Sequence, residues 1–111
     1  MKLKKTLEEN ILIVYLLEDL DISNSAEFTN EITQELSEKL KRIVIDFSGV
    51  GYVDSSGIGA IARIYRLIKE DKEVIVFSGC NENIRNIFTM VNFHRYFRMV
   101  DTVEEACKDP K

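Results

Sequence analysis

Apolar and polar positions fall into distinct blocks along this 111-residue chain, and the blocks predict alternating strands and helices. "KLKKTLEEN" and "ILIVYLL" are strand-like runs, and Glu9 with Asn10 between them predicts the tight turn of a hairpin. "RIVIDF" at 42–47 is a continuous apolar run, typical of a central strand buried on both faces. "EVIVFSG" and "RYFRMV" predict two more strands, of which the second is a short edge strand.

Helical periodicity separates these strands. In the first helical segment the apolar residues recur every fourth position: Phe28, Ile32, Leu36 and Leu40. Asn24 followed by Glu27 predicts a capping box at its start. In the second segment the predicted apolar face consists of Ile58, Ile61, Ala62, Tyr65 and Ile68, with Arg63, Arg66 and Lys69 pointing away.

Two shorter helices follow. The third has its apolar residues at helical spacing: Ile84, Ile87, Phe88 and Val91. Asn92 is predicted to end this helix in a left-handed conformation. The fourth begins with Thr102, and Glu105 three positions later predicts a second capping box.

The resulting order is strand, strand, helix, strand, helix, strand, helix, strand, helix. Alternation of this kind requires crossover helices and a largely parallel sheet. We therefore expect an α/β fold with one mixed central sheet of about four or five strands, flanked by about four helices. Because no linker or internal repeat divides the chain, residues 1–111 are expected to form one domain.

Composition and charge limit the classes of function that the chain can have. The chain is 45% hydrophobic and 31% charged, which is ordinary for a globular protein. A net charge of −4 argues against direct nucleic-acid binding, since phosphate backbones favour basic surfaces. Cys80 and Cys107 belong to no CxxC pair, so we interpret both as apolar or incidental thiols, which suits a reducing compartment.

The amino-terminal segment "MKLKKTLEEN" is positively charged at first, but Glu8, Glu9 and Asn10 interrupt the run into "ILIVYLL". That apolar stretch is too short to span a bilayer, and no small-residue cleavage site follows it. We therefore expect neither a signal peptide nor a membrane helix, and a cytoplasmic location.

"GYVDSSGIGAIARIYR" at 51–66 contains the candidate chemistry. Gly57, Gly59 and Ala62 match the spacing of a dinucleotide-binding fingerprint. Three polar residues separate the strand from the first glycine, however, and the next strand, "VIVFS", offers no acidic residue for a ribose. The glycines are better explained as room for the helix to begin close to its strand, or for another molecule to approach the turn.

Catalytic alternatives are also weak. Around Ser55 the nucleophile elbow G-x-S-x-G fails, because Val53 stands in place of the first glycine. His94 is the only histidine and falls in a loop after the third helix, where we expect it to be partly exposed. Histidine, cysteines and carboxylates do not occur at metal-ligand spacing. We expect no enzymatic activity, no metal and no cofactor.

Asp54, Ser55 and Ser56 stand where the second helix begins, and one of their oxygens is expected to cap it. Three consecutive side chains with oxygen atoms are more than one helix cap requires. A surplus hydroxyl on an exposed turn is a group that a kinase can use, and a phosphate there would face free amides at the helix start. Capping alone and regulation by phosphorylation both remain open on the residues themselves.

A family resemblance bears on this choice. "RIVIDFSGVGYVDSSGIGAIARIYR" at 42–66 resembles the characteristic segment of the anti-sigma factor antagonist family, the bacterial members of the STAS domain class. The resemblance extends over nearly the whole chain, through "LEDLDISNSAEF", "EVIVFSGCNENIRNIFTMVNFHRYF" and "DTVEEA". It implies a small sheet flanked by helices, and regulation by exchange of partners in place of catalysis.

In the scheme that the resemblance implies, the unphosphorylated antagonist binds an anti-sigma factor that is also a serine kinase, and so releases a sigma factor. Phosphorylation of the serine after the motif aspartate, here Ser55, ends the binding, and a PP2C-type phosphatase restores it. Asp21 matches an acidic position beside the kinase surface. The rest of the implied partner-binding turn is Asp54, Ser56, Gly57, Ile58 and Gly59.

One position departs from the family pattern, because Glu18 stands where a glycine is frequent. The extra charge can change which anti-sigma factor fits and leaves the acceptor in place. Many proteins of the wider STAS class are interaction scaffolds or sensors without an acceptor serine, and this remains the alternative function. We expect the free protein to be a monomer.

Overall fold

Five strands form one mixed sheet, and four helices pack on its two faces. The structure is a computed structural model that describes residues 1–68 and 74–109. The strands are β1 Leu3–Glu8, β2 Ile11–Leu16, β3 Arg42–Asp46, β4 Ile75–Ser78 and β5 Arg98–Val100. The helices are α1 Ser25–Thr33, α2 Ser55–Ile68, α3 Glu82–Met90 and α4 Val103–Cys107, with a 3-10 helix at Phe93–Arg95. The predicted α/β class and the predicted order of elements are confirmed.

The strands are hydrogen-bonded in sequence order, β1-β2-β3-β4-β5. β1 and β2 are antiparallel, and the three remaining pairings are parallel. Glu9 and Asn10 have φ values of 52° and 66°, the left-handed conformation at both central positions of a two-residue hairpin turn. The predicted hairpin and the predicted edge position of β5 are therefore confirmed.

Successive side chains along the strands point to opposite faces of the sheet, and two separate hydrophobic clusters result. Leu12, Ile45 and Phe77 point to the face covered by α1, α2 and α3, where the main core lies. Val44 and Val76 point to the other face, where Ala106 of α4 covers them. All five residues of β3 are buried, which confirms the prediction of a central strand with two covered faces.

α1 is shorter than its periodicity predicted, since it ends at Thr33. Leu36 and Leu40 lie beyond it in the irregular connection to β3 and still pack against the main core. The chain tightens there, with the Leu36 amide donating to the Thr33 carbonyl three residues earlier at 3.2 Å. It must turn back within a few residues because the Lys41 amide bonds the Asn10 carbonyl at 2.7 Å, where β3 joins β2.

The predicted capping box at Asn24 and Glu27 is wrong. Asn24 precedes α1 but its side chain makes no capping bond. Its Oδ1 accepts from the Asp21 amide at 2.9 Å and its Nδ2 donates to the Asp19 carbonyl at 2.8 Å. Glu27 bonds the amino group of Met1 at 2.6 Å. Tertiary contacts therefore outcompete the local reciprocal bonds of a box.

The buried face of α2 is rotated from the predicted one. Its buried residues are Gly57, Ala60, Ile61 and Ile64, while Ile58, Tyr65 and Ile68 are only partly buried at its flank. The buried face thus combines two small residues, Gly57 and Ala60, with two isoleucines. Arg63 and Arg66 are exposed as predicted, and Lys69 lies outside the described residues.

The ends of the last two helices follow their sequence signals. Asn92 after α3 has a φ of 64°, which confirms the left-handed stop. Before α4, the Thr102 hydroxyl accepts from the Glu105 amide at 3.1 Å, so the predicted cap forms. The second bond differs from that of a capping box, in which the Glu105 carboxylate would accept from the Thr102 backbone amide. Here the carboxylate accepts from the Thr102 hydroxyl at 3.3 Å.

Candidate functional site

The site lies at the carboxyl ends of β2 and β3, where the loops after these two parallel strands meet. Leu20 and Val53 form an isolated parallel bridge between the loops. The Leu20 amide donates to the Tyr52 carbonyl at 3.2 Å, and the Asp54 amide donates to the Leu20 carbonyl at 3.1 Å. The carboxyl edge of an open parallel sheet is where such folds present their binding residues. The sequence segments that contain Asp21 and Asp54 are thereby fixed against each other.

Asp54 performs the capping role at the start of α2. Its Oδ1 accepts from the Gly57 amide at 3.0 Å, the N-cap to N3 geometry, and its carbonyl accepts from the Ile58 amide at 3.0 Å. Its second carboxylate oxygen accepts from the Ile22 amide at 3.2 Å. One side chain thus satisfies the helix start and holds the neighbouring loop, so neither serine hydroxyl is needed for capping.

Ser55 is the first residue of α2 and is exposed, while Ser56 is half-buried. Within residues 1–68 and 74–109, neither hydroxyl takes part in a hydrogen bond. The backbone amides at the start of the helix have no partner in the helix itself and carry its partial positive charge. Ser55 therefore presents a free hydroxyl beside groups that favour a phosphate.

Asp21 is half-buried and its carboxylate organises its own loop. Its Oδ1 accepts from the Ser23 amide at 2.9 Å and from the Ser23 hydroxyl at 2.5 Å. Asp21 directly precedes Ile22, whose amide bonds Asp54, so the two predicted acidic residues belong to one hydrogen-bonded unit. The structure brings Asp21 and Asp54 together around the start of α2.

Asp19 also belongs to this unit, although no sequence pattern predicted it. One of its carboxylate oxygens accepts from the Gly51 amide at 2.7 Å and from the Tyr52 amide at 3.2 Å. These partners lie 32 and 33 residues away, so no local pattern reveals them. The only available signal is the acidic run "EDLD" shortly after a strand, in which Asp19 is the second of three acids.

The two glycines of the turn differ in environment. A Cβ on Gly57 would lie 2.8 Å from Leu20 Cγ and 2.8 Å from Val53 Cγ1, so this position requires glycine for close packing. A Cβ on Gly59 would meet nothing within 4 Å. Gly57 is buried, so its contribution to any partner surface is indirect, whereas Gly59 and the half-buried Ile58 lie at the surface.

Exposed apolar side chains flank the serines and were also missed. Ile22 is 77% exposed and Tyr52 is 50% exposed, and both adjoin residues that hold the two loops together. Leu17, 57% exposed, begins the first of these loops. Large apolar groups on a polar, hydrogen-bonded turn are typical of a surface that contacts another protein.

The histidine and the buried cysteine considered for chemistry belong to other segments than the serine turn. His94 lies in the 3-10 helix after α3, on a different segment from Ser55, and is exposed. Burial raises the pKa of the Cys80 thiol to about 12, so it stays protonated and unreactive at neutral pH. Among residues 1–68 and 74–109, no three histidine, cysteine or acidic side chains are placed to hold a metal ion. Nor does any helix of that part of the chain have the length and apolar character needed to cross a membrane.

Comparison with known proteins defines the family. The STAS domain family matches residues 2–106, and the chain belongs to that family. A Thermotoga maritima protein, provisionally named an anti-sigma factor antagonist, is 24% identical over 102 residues, which cover 91% of this chain and 90% of the relative.

Two solved structures show the same fold. The anti-sigma factor antagonist SpoIIAA in its unphosphorylated form superposes with a TM-score of 0.80 at 18% identity, covering 95% of this chain and 92% of its own. The phosphorylated form of the Bacillus protein SpoIIAA superposes with a TM-score of 0.73 at 18% identity, covering 95% and 96%. The predicted resemblance and the predicted fold are confirmed.

Proposed function

We propose that this chain is an anti-sigma factor antagonist controlled by phosphorylation of Ser55. In its unphosphorylated form it binds an anti-sigma factor that is also a serine kinase, and a sigma factor is released. Phosphorylation of Ser55 by that kinase ends the binding, and a PP2C-type phosphatase restores it. The observation that carries this proposal is the exposed Ser55 hydroxyl at the start of α2, left free because Asp54 caps the helix.

The proposed docking surface comprises the residues around this hydroxyl. Asp21, Asp54 and Ser56 supply polar groups, and Ile58 and Gly59 lie along the same turn. Ile22 and Tyr52 add the apolar area that most protein interfaces bury at their centre. Support also comes from the family: SpoIIAA, which shares the fold, is known in phosphorylated and unphosphorylated forms.

The proposed switch acts by charge. A phosphate on Ser55 adds about −1.5 to −2 charges and three acceptor oxygens. The helix amides favour it by roughly 0.3 to 1 kcal/mol, so the domain stays folded. At the interface the same hydrated group, next to Asp54, must lose water and displace partner atoms, which costs free energy.

The test combines mass spectrometry with binding. The wild-type chain is incubated with ATP and the purified anti-sigma factor kinase from its own genome, and intact mass with fragmentation locates the phosphate. We expect one phosphate on Ser55, none on Ser55→Ala, and a phosphate still located on Ser55 in the matched control Ser56→Ala. Ser55→Ala is expected to bind the kinase permanently.

Phosphate on Ser55→Ala would assign the acceptor to another hydroxyl. A wild-type chain that binds the kinase but is never phosphorylated, in the reaction or in its own cells under growth and stress, would favour the scaffold alternative.

A further inference from the structure

A polar groove of about 390 Å³ runs between α1 and α2 beside the serine turn. Its α1 wall is formed by Ser25, Ala26 and Thr29, all small side chains. On α2 it begins at Ser56 and reaches Arg63 and Arg66. Ser56 and Arg63 are seven residues apart, two helical turns or roughly 10 Å, so the groove extends from the proposed docking turn along the helix.

The groove is locally basic although the chain has a net charge of −4. The acidic residues of α1 face away from it: Glu27 bonds the Met1 amino group at 2.6 Å, and Glu31 bonds Lys5 of β1 at 2.7 Å. No carboxylate of residues 1–68 and 74–109 lies within 4.0 Å of the Arg63 guanidinium. The α1 wall therefore offers Arg63 hydroxyls and methyls but no counter-charge.

We infer that this groove binds an acidic segment of the anti-sigma factor that docks on the Ser55 turn, an inference that rests on the proposed function. Two features point to that occupant. Ser56 belongs to both the turn and the groove, so one partner can cover both without a gap. The guanidinium of Arg63 complements carboxylates, which it can bind through two parallel hydrogen bonds.

The groove also makes the charge distribution of the docking surface asymmetric. Asp21 and Asp54 make one side of Ser55 acidic, while Arg63 and Arg66 make the adjoining helix basic. A partner with basic and acidic regions in the complementary order binds in one orientation only, because the reverse places like charges together. That orientation delivers the Ser55 hydroxyl to the kinase active site.

The test measures affinity for the purified anti-sigma factor kinase at about 50 and 300 mM salt, with Arg63→Glu and a matched control. Lys4→Glu makes the same change of charge on β1, where Lys4 is exposed and points to the opposite face of the sheet from Lys5 and α1. We expect Arg63→Glu to weaken binding at low salt roughly tenfold or more, with a reduced salt dependence, and Lys4→Glu to leave it within about twofold. Exchange of a partner surface Glu for Lys is expected to restore binding to Arg63→Glu.

Three outcomes overturn the inference. Equal affinity of wild type and of the double variant Arg63→Glu, Arg66→Glu shows that the groove is not used, and leaves the proposed function standing. Equal weakening by Lys4→Glu shows a general charge effect with no local site. A wild-type chain that does not bind the kinase at all removes the proposed function itself. Circular dichroism and thermal unfolding confirm that each variant is folded.

Discussion

At the scale of single residues, Gly57 and Gly59 provide a matched pair in one helix. Gly57→Ala places a methyl 2.8 Å from Leu20 Cγ and Val53 Cγ1, so helix and bridge must separate. We expect it to lower the free energy of unfolding by about 1 to 3 kcal/mol. Gly59→Ala enters open space and is expected to raise it by roughly 0.5 to 1 kcal/mol, since alanine favours a helix.

Urea denaturation measures both variants. A Gly57→Ala variant at least as stable as wild type would contradict the close approach of α2 to the Leu20–Val53 bridge, because alanine otherwise helps a helix.

At the scale of elements, the start of α2 depends on Asp54, which bonds the Gly57 amide and holds Ile22 of the preceding loop. Asp54→Ala removes both bonds, and we expect it to cost about 1 to 2 kcal/mol of unfolding free energy. Ser55→Ala, one residue on, removes a hydroxyl without a capping role and is expected to stay within about 0.5 kcal/mol of wild type. Equal losses in both variants, measured by chemical denaturation, would mean that the serine shares the cap.

The docking of α4 is a second feature at this scale. Arg42, buried at the start of β3, donates to the Cys107 carbonyl at 2.9 Å and to the Asp109 carboxylate at 3.0 Å. Arg98 of β5 donates to the Glu105 and Lys108 carbonyls, both at 3.2 Å. Cations near the last carbonyls of a helix are favourable. Two strands thereby hold the end of a five-residue helix that is too short to be stable alone.

This contact predicts a pH dependence. The hydrogen bond from Arg42 and the charge of Lys41 lower the pKa of Asp109 below its ordinary value. A carboxyl with a lowered pKa stabilises the folded state above its unfolded pKa of about 3.9, and that stabilisation is lost as pH falls through the folded value. We expect Asp109→Asn to be less stable than wild type at pH 6, with the difference disappearing toward pH 2. Thermal unfolding across this range, with exposed Glu104→Gln as control, measures it; a difference that grows on acidification would contradict the ion pair.

At the scale of the whole molecule, the fold and the proposed switch are separable. Ser55→Asp places an acid at the start of α2, where the helix favours it, so the sheet and both cores stay intact. Its affinity for the anti-sigma factor kinase is expected to fall about a hundredfold, or about 2.8 kcal/mol. Amide NMR spectra report the fold and calorimetry reports the affinity, with Ser37→Asp, which places the same charge at an exposed position beyond α1, as the control. Loss of the native spectrum would show that the charge acts on folding instead of docking.

Most of the architecture could be predicted because its signals are local. Apolar runs and four-residue periodicity reflect contacts with the nearest core face, and Asn10 and Asn92 mark turns that few other residues adopt easily. Predictions failed where distant groups compete. The Asn24 side chain bonds its own loop and leaves α1 uncapped, and α1 ends at Thr33 because the chain must return to β3.

By itself, the sequence determined the order of strands and helices, the hairpin and the position of Ser55 at the start of a helix. These depend on interactions between residues a few positions apart. The tertiary structure alone decided which of three oxygens caps α2, that Asp19 holds the opposite loop, and that Arg63 lines a groove free of acids on α1. Asp54 also accepts from the Ile22 amide 32 residues away, and Asp19 accepts from amides 32 and 33 residues away, contacts that the parallel pairing of β2 with β3 brings within hydrogen-bond distance. The groove likewise joins α1 and α2, two helices that are separated in the sequence by β3.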